Sequence, residues 1–200
     1  MAAGRYGEDM NSLMAEEDVD VLQKARRIRL LLTDVDGVLT DTGIYYSARG
    51  EELKRFSVRD GMGVERLRTV AGIEVGIITG EHSEAVWQRA KKLGISELHL
   101  GARDKLALLA DICVRQQVQP DEVAYIGDDS NDLEIMGQVG LTAVPADALP
   151  FVRETADYIC QARGGHGAFR EFAELIIAAQ TAFHAKEEQN EPISCERRSW

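Results

Sequence analysis

The sequence predicts an α/β fold: a Rossmann-like parallel sheet with helices on both faces, a β-hairpin flap inserted after the first strand, and no large cap domain. Three observations predict it. From residue 28 onward short apolar runs alternate with segments of helical period, the pattern of parallel strands joined by crossover helices. The 200 residues, 44% of them hydrophobic, suffice for one core. Several apolar runs end at acidic residues beside glycine, and in open α/β sheets ligands sit beyond the carboxyl ends of the strands.

Residues 1–27 are polar, with room for one amphipathic helix, and read as an N-terminal extension. The first strand, "IRLLLT", stops at Asp34 and Asp36 and then at a glycine turn. Thr42 to Gly61 breaks the rhythm: β-type residues flank "SARGE", which reads as the hairpin. Then alternate a helix over Gly61–Val70, strand "EVGIIT", a helix over Ser83–Leu93 stopped by Gly94, strand "ELHL" and a helix over Lys105–Gln116. Pro120 turns the chain into "EVAYIG"; a helix over Asn131–Val139, strand "LTAV", a helix over Ala148–Glu154 and strand "DYIC" follow. The domain spans 28–183, and the charged, aperiodic 184–200 is expected to be a disordered tail.

A formal net charge of −11 and a pI near 4.9 exclude nucleic-acid and anionic-membrane partners, which would be repelled at long range. An anionic ligand must be met by local cations. No apolar run is long enough to span a bilayer, and the first residues lack the basic and apolar regions of a leader, so a cytoplasmic protein is expected. Cys113, Cys160 and Cys195 have no metal-type spacing and fit reduced thiols.

A second acidic cluster, "GDDSND" at Gly127–Asp132, closes another strand. Two acidic strand ends in one crevice repel each other unless a cation holds them, and Mg²⁺, a hard ion that seeks oxygen, fits. A carboxylate can then act as a nucleophile. Thr79, before Gly80, offers a hydroxyl and a nearby backbone N–H to a phosphate; Lys105 offers a fixed positive charge. Singly, each such residue is more often a cap, a turn former or a solvated charge. Four of them in order at successive strand ends point to phosphoryl transfer.

At these residues the chain resembles the haloacid dehalogenase superfamily of phosphohydrolases, over about Ile28 to Phe183. The resemblance implies that Asp34 is the nucleophile and a Mg²⁺ ligand. Asp36 would be general acid and then base, with its backbone carbonyl on the metal, and Asp128 the third protein ligand. Asp129 and Asp132 would support the metal's waters and Lys105, while Thr79 and Lys105 bind the transferring phosphate. The aspartate at 36 favours hydrolysis, which needs a proton donor and a base.

"DVDGVLTD", "GEELKRFSVRDGMG", "YIGDDSND", "VGLTAVPADA" and "RGGHGAFREF" resemble a cap-less branch, the phosphatases of 3-deoxy-D-manno-octulosonate 8-phosphate and of 2-keto-3-deoxynonulosonate 9-phosphate. That branch implies bacterial surface-sugar biosynthesis, a sugar acid phosphate as substrate, and a homotetramer in which a neighbouring subunit completes each site. Where the eight-carbon enzymes typically carry arginine, this chain has Glu81 and His166. Gly80, Glu81, Arg89 and Lys92 match the nine-carbon pattern, with Arg59 a further candidate cation for the substrate carboxylate. His166 reads as a loop residue, and its flanking glycines would let the C-terminal segment bend toward the active-site mouth. Two other readings stand beside the phosphatase: a non-catalytic assembly domain, like the related one appended to some animal CMP-sialate synthetases, and a phosphatase of another small phosphometabolite.

Overall fold

The computed structural model describes residues 16–190. Helix α1 (Glu16–Ala25) leads into strand β1 (Leu30–Thr33), and β2 (Thr40–Ser47) with β3 (Gly50–Phe56) forms the hairpin. After it come α2 (Val58–Arg66), β4 (Glu74–Ile78), α3 (Glu84–Leu93), β5 (Glu97–His99), α4 (Leu106–Gln116) and β6 (Val123–Ile126). The chain closes with α5 (Leu133–Met136), β7 (Leu141–Val144), α6 (Pro150–Arg153), β8 (Tyr158–Ile159) and α7 (Ala168–Asn190). Six strands form one parallel sheet in the order β5-β4-β1-β6-β7-β8; the hairpin is a separate two-stranded sheet.

Both faces of the parallel sheet are covered, which is why its strands read as near-continuous apolar runs rather than alternating ones. Leu31, Val75, Ile77, Ala124 and Ile126 pack on one face with residues of α1, α2, α3 and α7. Leu30, Leu32, Ile78 and Tyr125 pack on the other with Leu109 and Ile112 of α4, Ile135 of α5 and Val152 of α6. Register places Leu31 between Val75 of β4 and Ala124 of β6, so β1 is central.

Helix ends follow local chemistry. The Ser83 hydroxyl accepts from the Val86 N–H and caps α3, which stops at Gly94 with φ 67°. Where nine helical residues were expected from Asn131, only a 3₁₀ turn at Ser130–Asp132 and the four-residue α5 form. Asp129 and Asp132 cap that turn reciprocally, and Gly137 ends the helix.

The C-terminal region needs correction. The sequence reading assigned no helix after Glu154, yet α7 spans 23 residues and buries Phe169, Phe172, Ala173, Ile176 and Ile177. Its pattern "AFREFAELIIAA" repeats apolar residues at three- and four-residue spacing, a legible signal. It also runs to Asn190, into the segment expected to be a disordered tail, where "AKEEQ" supplies strong helix formers. Residues 191–200 and the first fifteen residues of the N-terminal extension lie outside those described. Among the described residues, no helix is long and apolar enough to cross a membrane.

Candidate active site

From β1 the chain moves to β4 and β5 on one side, then returns to place β6, β7 and β8 on the other. The strand order therefore reverses between β1 and β6, where the loops leaving adjacent carboxyl ends open a crevice. Asp34 and Asp36 arrive on the first loop, Asp128, Asp129 and Asp132 on the second. The first loop is tight: the Val38, Leu39 and Thr40 N–H groups all donate to the Val35 carbonyl.

Carboxylate oxygens of Asp34, Asp128 and Asp132 lie within 4.8 Å of one another. Lys105 Nζ sits beneath them, 3.0 Å from Asp34 Oδ1 and 2.6 Å from Asp132 Oδ1. The Tyr125 hydroxyl donates to the same Asp132 oxygen at 2.6 Å, while Asp132 Oδ2 accepts from the Asp128 and Asp129 N–H groups at 2.9 and 3.2 Å. Asp132 thus both shapes the second loop and fixes the lysine. Asp129 is exposed, its side chain capping the Ser130 N–H.

Burial raises the Asp34 carboxyl above the usual carboxylate range; the nearby Asp132 charge adds to this and Lys105 opposes it. Burial also pushes Asp128 up to about 8, with repulsion from Asp34, Asp132 and Asp129 adding to it. For Lys105 burial works downward, but the two adjacent carboxylates outweigh it and hold the ammonium above its ordinary value.

The donor set fits a hard divalent cation. Asp128 Oδ1 is buried without a hydrogen-bond partner, a costly state for a carboxylate oxygen unless something else meets it. Gly37 preserves that space: its φ is 90°, and a Cβ there would overlap the Asp128 carboxylate. Oxygen ligands alone suit Mg²⁺.

A cleft of 240 Å³ above the cluster is lined by Asp34, Asp36, Thr79, Gly80, Glu81, Asp128, Asp129, Ser130 and Asn131. Thr79 is buried at the end of β4, and its hydroxyl oxygen accepts from the Glu81 N–H at 3.4 Å. Arg59, Arg89 and Lys92 do not line this cleft, contrary to expectation. Helix α3 starts at the mouth, and a rise of ~1.5 Å per residue carries Arg89 about 9 Å and Lys92 about 13 Å past the Ser83 cap. Arg89 instead donates to the Ser57 carbonyl at 2.8 Å and lies 5.7 Å over the Phe56 ring, pinning α3 to the junction of the hairpin and α2. Arg59 and Lys92 are exposed.

The "RGGHG" loop reaches the back of the first acidic loop: the Gly165 N–H donates to the Val38 carbonyl at 2.8 Å. Arg55 of β3 ties it to the flap, bonding Asp41 at 2.6 Å, the Gly165 carbonyl at 3.1 Å and His166 Nε2 at 2.9 Å.

Sequence reasoning assigned no role to two groups at this site. Tyr125 was a strand residue among aliphatics, and Lys54 a charge in the flap. Lys54 Nζ lies 2.7 and 2.5 Å from the two Asp36 carboxylate oxygens, fully buried, while its neighbour Leu53 is 62% exposed. A strand with a charge inward and a leucine outward inverts the usual pattern, and that inversion was the available signal.

Residues 94–171 match the model of a haloacid dehalogenase-like hydrolase family. The 3-deoxy-D-manno-octulosonate 8-phosphate phosphatase of Yersinia pestis is 48% identical over 161 residues, covering 80% of this chain and 86% of that protein. The Escherichia coli K12 enzyme of the same name is 43% identical over 176 residues, 88% of this chain and 93% of that protein. Among solved structures, the Moraxella catarrhalis 3-deoxy-D-manno-octulosonate 8-phosphate phosphatase, in complex with magnesium, phosphate and KDO, superposes with a TM-score of 0.78. It is 40% identical and covers 85% of this chain and 97% of that one.

Proposed function

The chain belongs to the haloacid dehalogenase-like phosphatases, Mg²⁺-using phosphoric monoester hydrolases, and on that premise we propose that it converts 3-deoxy-D-manno-octulosonate 8-phosphate to the free sugar acid and phosphate. One observation carries the reading: Asp34 faces the cleft with Lys105 3.0 Å from its Oδ1 and with Thr79 and Asp128 in the same small space. A nucleophile, a cation and a phosphate-binding hydroxyl there have no comparable use in a purely structural assembly domain.

In the proposed reaction an Asp34 oxygen attacks phosphorus, and the bond from phosphorus to the sugar oxygen breaks. Asp36 gives its proton to the departing alkoxide. Asp36 then takes a proton from water, whose oxygen attacks the aspartyl phosphate and releases phosphate with Asp34 restored. Thr79, the backbone beside it and Lys105 hold the phosphoryl oxygens. Asp34, Asp128 and the Asp36 main-chain carbonyl would hold Mg²⁺, with Asp129 and Asp132 behind them; the ion's chemistry there is to neutralise charge on the transferring group.

One observation favours a second substrate, the nine-carbon 2-keto-3-deoxynonulosonate 9-phosphate: Glu81, rather than an arginine, lines the cleft beside Gly80. We assign both residues to the sugar. The cation for the substrate carboxylate then comes across a subunit boundary, from a neighbour's Arg59, Arg89 or Lys92. Tyr45, Tyr46 and Leu53 leave a broad apolar surface on the flap, each more than 60% exposed, which supports burial against further copies in a homotetramer. The free thiols Cys113 and Cys160 support a cytoplasmic location.

The test is kcat/KM on both sugar acid phosphates for the wild type and Glu81→Arg. We expect the wild type to prefer the eight-carbon ester and the variant to shift its preference by about 10-fold or more, since a reversed charge at a polar contact changes discrimination on that scale. Turnover of neither ester would overturn the proposed function. An unchanged preference in the variant would overturn the assignment of Glu81.

A further inference from the structure

Lys54 lies within the "GEELKRFSVRDGMG" stretch, is a buried cation, and is none of the residues given a catalytic, metal or substrate role above. It stands on β3, which among the described residues pairs with β2 alone, and its side chain is fully enclosed. Its ammonium grips both oxygens of Asp36, and the Thr40 hydroxyl also donates to Asp36 Oδ1, at 3.2 Å. Behind it Glu51 Oε2 lies 3.8 Å away, and the other Glu51 oxygen accepts from the Ser83 hydroxyl. Ser83 caps α3, four residues after Thr79. A chain of polar contacts therefore runs from the cap of α3 through the flap to Asp36.

Stability alone is a poor reason for this arrangement. Desolvating a lysine and a carboxylate costs about as much as their attraction returns, and an apolar residue of similar volume usually packs as well. What the pair supplies is direction. Left to the loop after β1, the Asp36 side chain would have a choice of rotamers, whereas three hydrogen bonds from Lys54 and Thr40, on two strands, leave one. A general acid must stand within hydrogen-bond reach of the atom it protonates, and a displacement of about 1 Å can cost ~100-fold.

We propose that Lys54 is a positioning residue that aims Asp36 at the leaving oxygen, and that Glu51 and Ser83 hold Lys54 in turn, so that the flap sets the geometry of the acid/base step. The proposal rests on the acid/base role read above for Asp36.

The experiment compares wild type, Lys54→Met and Asp36→Asn with saturating Mg²⁺ on two substrates. 3-Deoxy-D-manno-octulosonate 8-phosphate expels an alkoxide that needs a proton; p-nitrophenyl phosphate expels a phenolate that does not. We expect Lys54→Met to lose roughly 10- to 100-fold in kcat/KM on the sugar ester and no more than about 3-fold on the aryl ester. Lys54→Arg, which keeps the charge and the donors, should recover part of the loss. Equal losses on both esters in Lys54→Met, with a large difference in Asp36→Asn, would overturn the positioning role and leave the mechanism standing. Equal losses in Asp36→Asn itself would overturn the acid/base reading and this inference with it. Melting curves check the fold; should Lys54→Met fail to fold, Glu51→Gln carries the test. It should show the same difference between esters at about 3- to 10-fold, and no difference would overturn the proposal.

Discussion

The two acidic loops line the cleft with charges, and the flap reaches it only from behind, through Lys54 on Asp36. The loops grow from the centre of the parallel sheet, where β1 and β6 are paired along their length, and their charges are locked in a buried cluster of Asp34, Asp132, Lys105 and Tyr125. The flap pairs only with itself, exposes Tyr45, Tyr46 and Leu53, and meets the cleft through Lys54. The difference separates a cluster held from both sides by the sheet from an element held through its own hairpin and a few side-chain contacts.

The largest expected effect lies at the buried pole. Asp34→Asn keeps shape and removes the proposed nucleophile, so turnover should fall by ~10⁴-fold or more. Its melting temperature without metal at pH 8 should stay at or above the wild-type value, because one of three mutually repelling carboxylates is gone. Measurable turnover near the wild-type rate would break the covalent mechanism.

A matched pair of glycines tests the comparison itself. Gly37 and Gly50 both hold left-handed backbone, at φ 90° and 105°, so alanine strains each by about 1–2 kcal/mol. Around Gly50, at the flap turn, nothing lies within 4 Å of an added Cβ, whereas at Gly37 the Cβ meets the Asp128 carboxylate. Gly37→Ala should lose ~100-fold in kcat and require more Mg²⁺, and Gly50→Ala should stay within about 3-fold of wild type. Equal losses measured by steady-state kinetics would erase the distinction between pole and flap.

The same distinction decides what could be read from the sequence. Asp34, Asp36, Thr79 and the second acidic cluster were legible as candidates because each follows a short apolar strand, and Lys105 because it opens the helix after one; strand ends converge in a parallel sheet. Asp132 was legible as a carboxylate but not as a loop-shaping cap, since that depends on which N–H groups the turn presents. Lys54 lies eighteen residues from Asp36, and only the return of the hairpin over the crevice joins them. Arg89 and Lys92 lie apart from this chain's own cleft for the converse reason: their spacing suits the substrate site, but helical rise carries them past the mouth. Helix α7 is carried by the periodicity of "AFREFAELIIAA", because strand–helix alternation alone demands no helix after the last strand.

A smaller effect follows from the raised carboxyls. In the metal-free protein, burial holds Asp34 above its ordinary range and Asp128 at about 8, so the folded state binds protons more tightly than the unfolded chain. Stability then falls as pH rises from about 4, where the unfolded carboxyls titrate, through about 8, where Asp128 releases its proton in the fold. Lys105 is also raised and stays charged across this window, adding no slope. Mg²⁺ replaces those protons, so its stabilisation must grow with pH. At 100-fold excess over its dissociation constant at pH 8 the melting temperature should rise by about 5–10 °C, with less than about half that gain at pH 5. Glu52 on the flap, paired with Arg49 near solvent, should contribute nothing to this difference. Thermal melts with and without Mg²⁺ at the two pH values measure it; gains of equal size would mean that the buried carboxylates are not the groups that hold the ion.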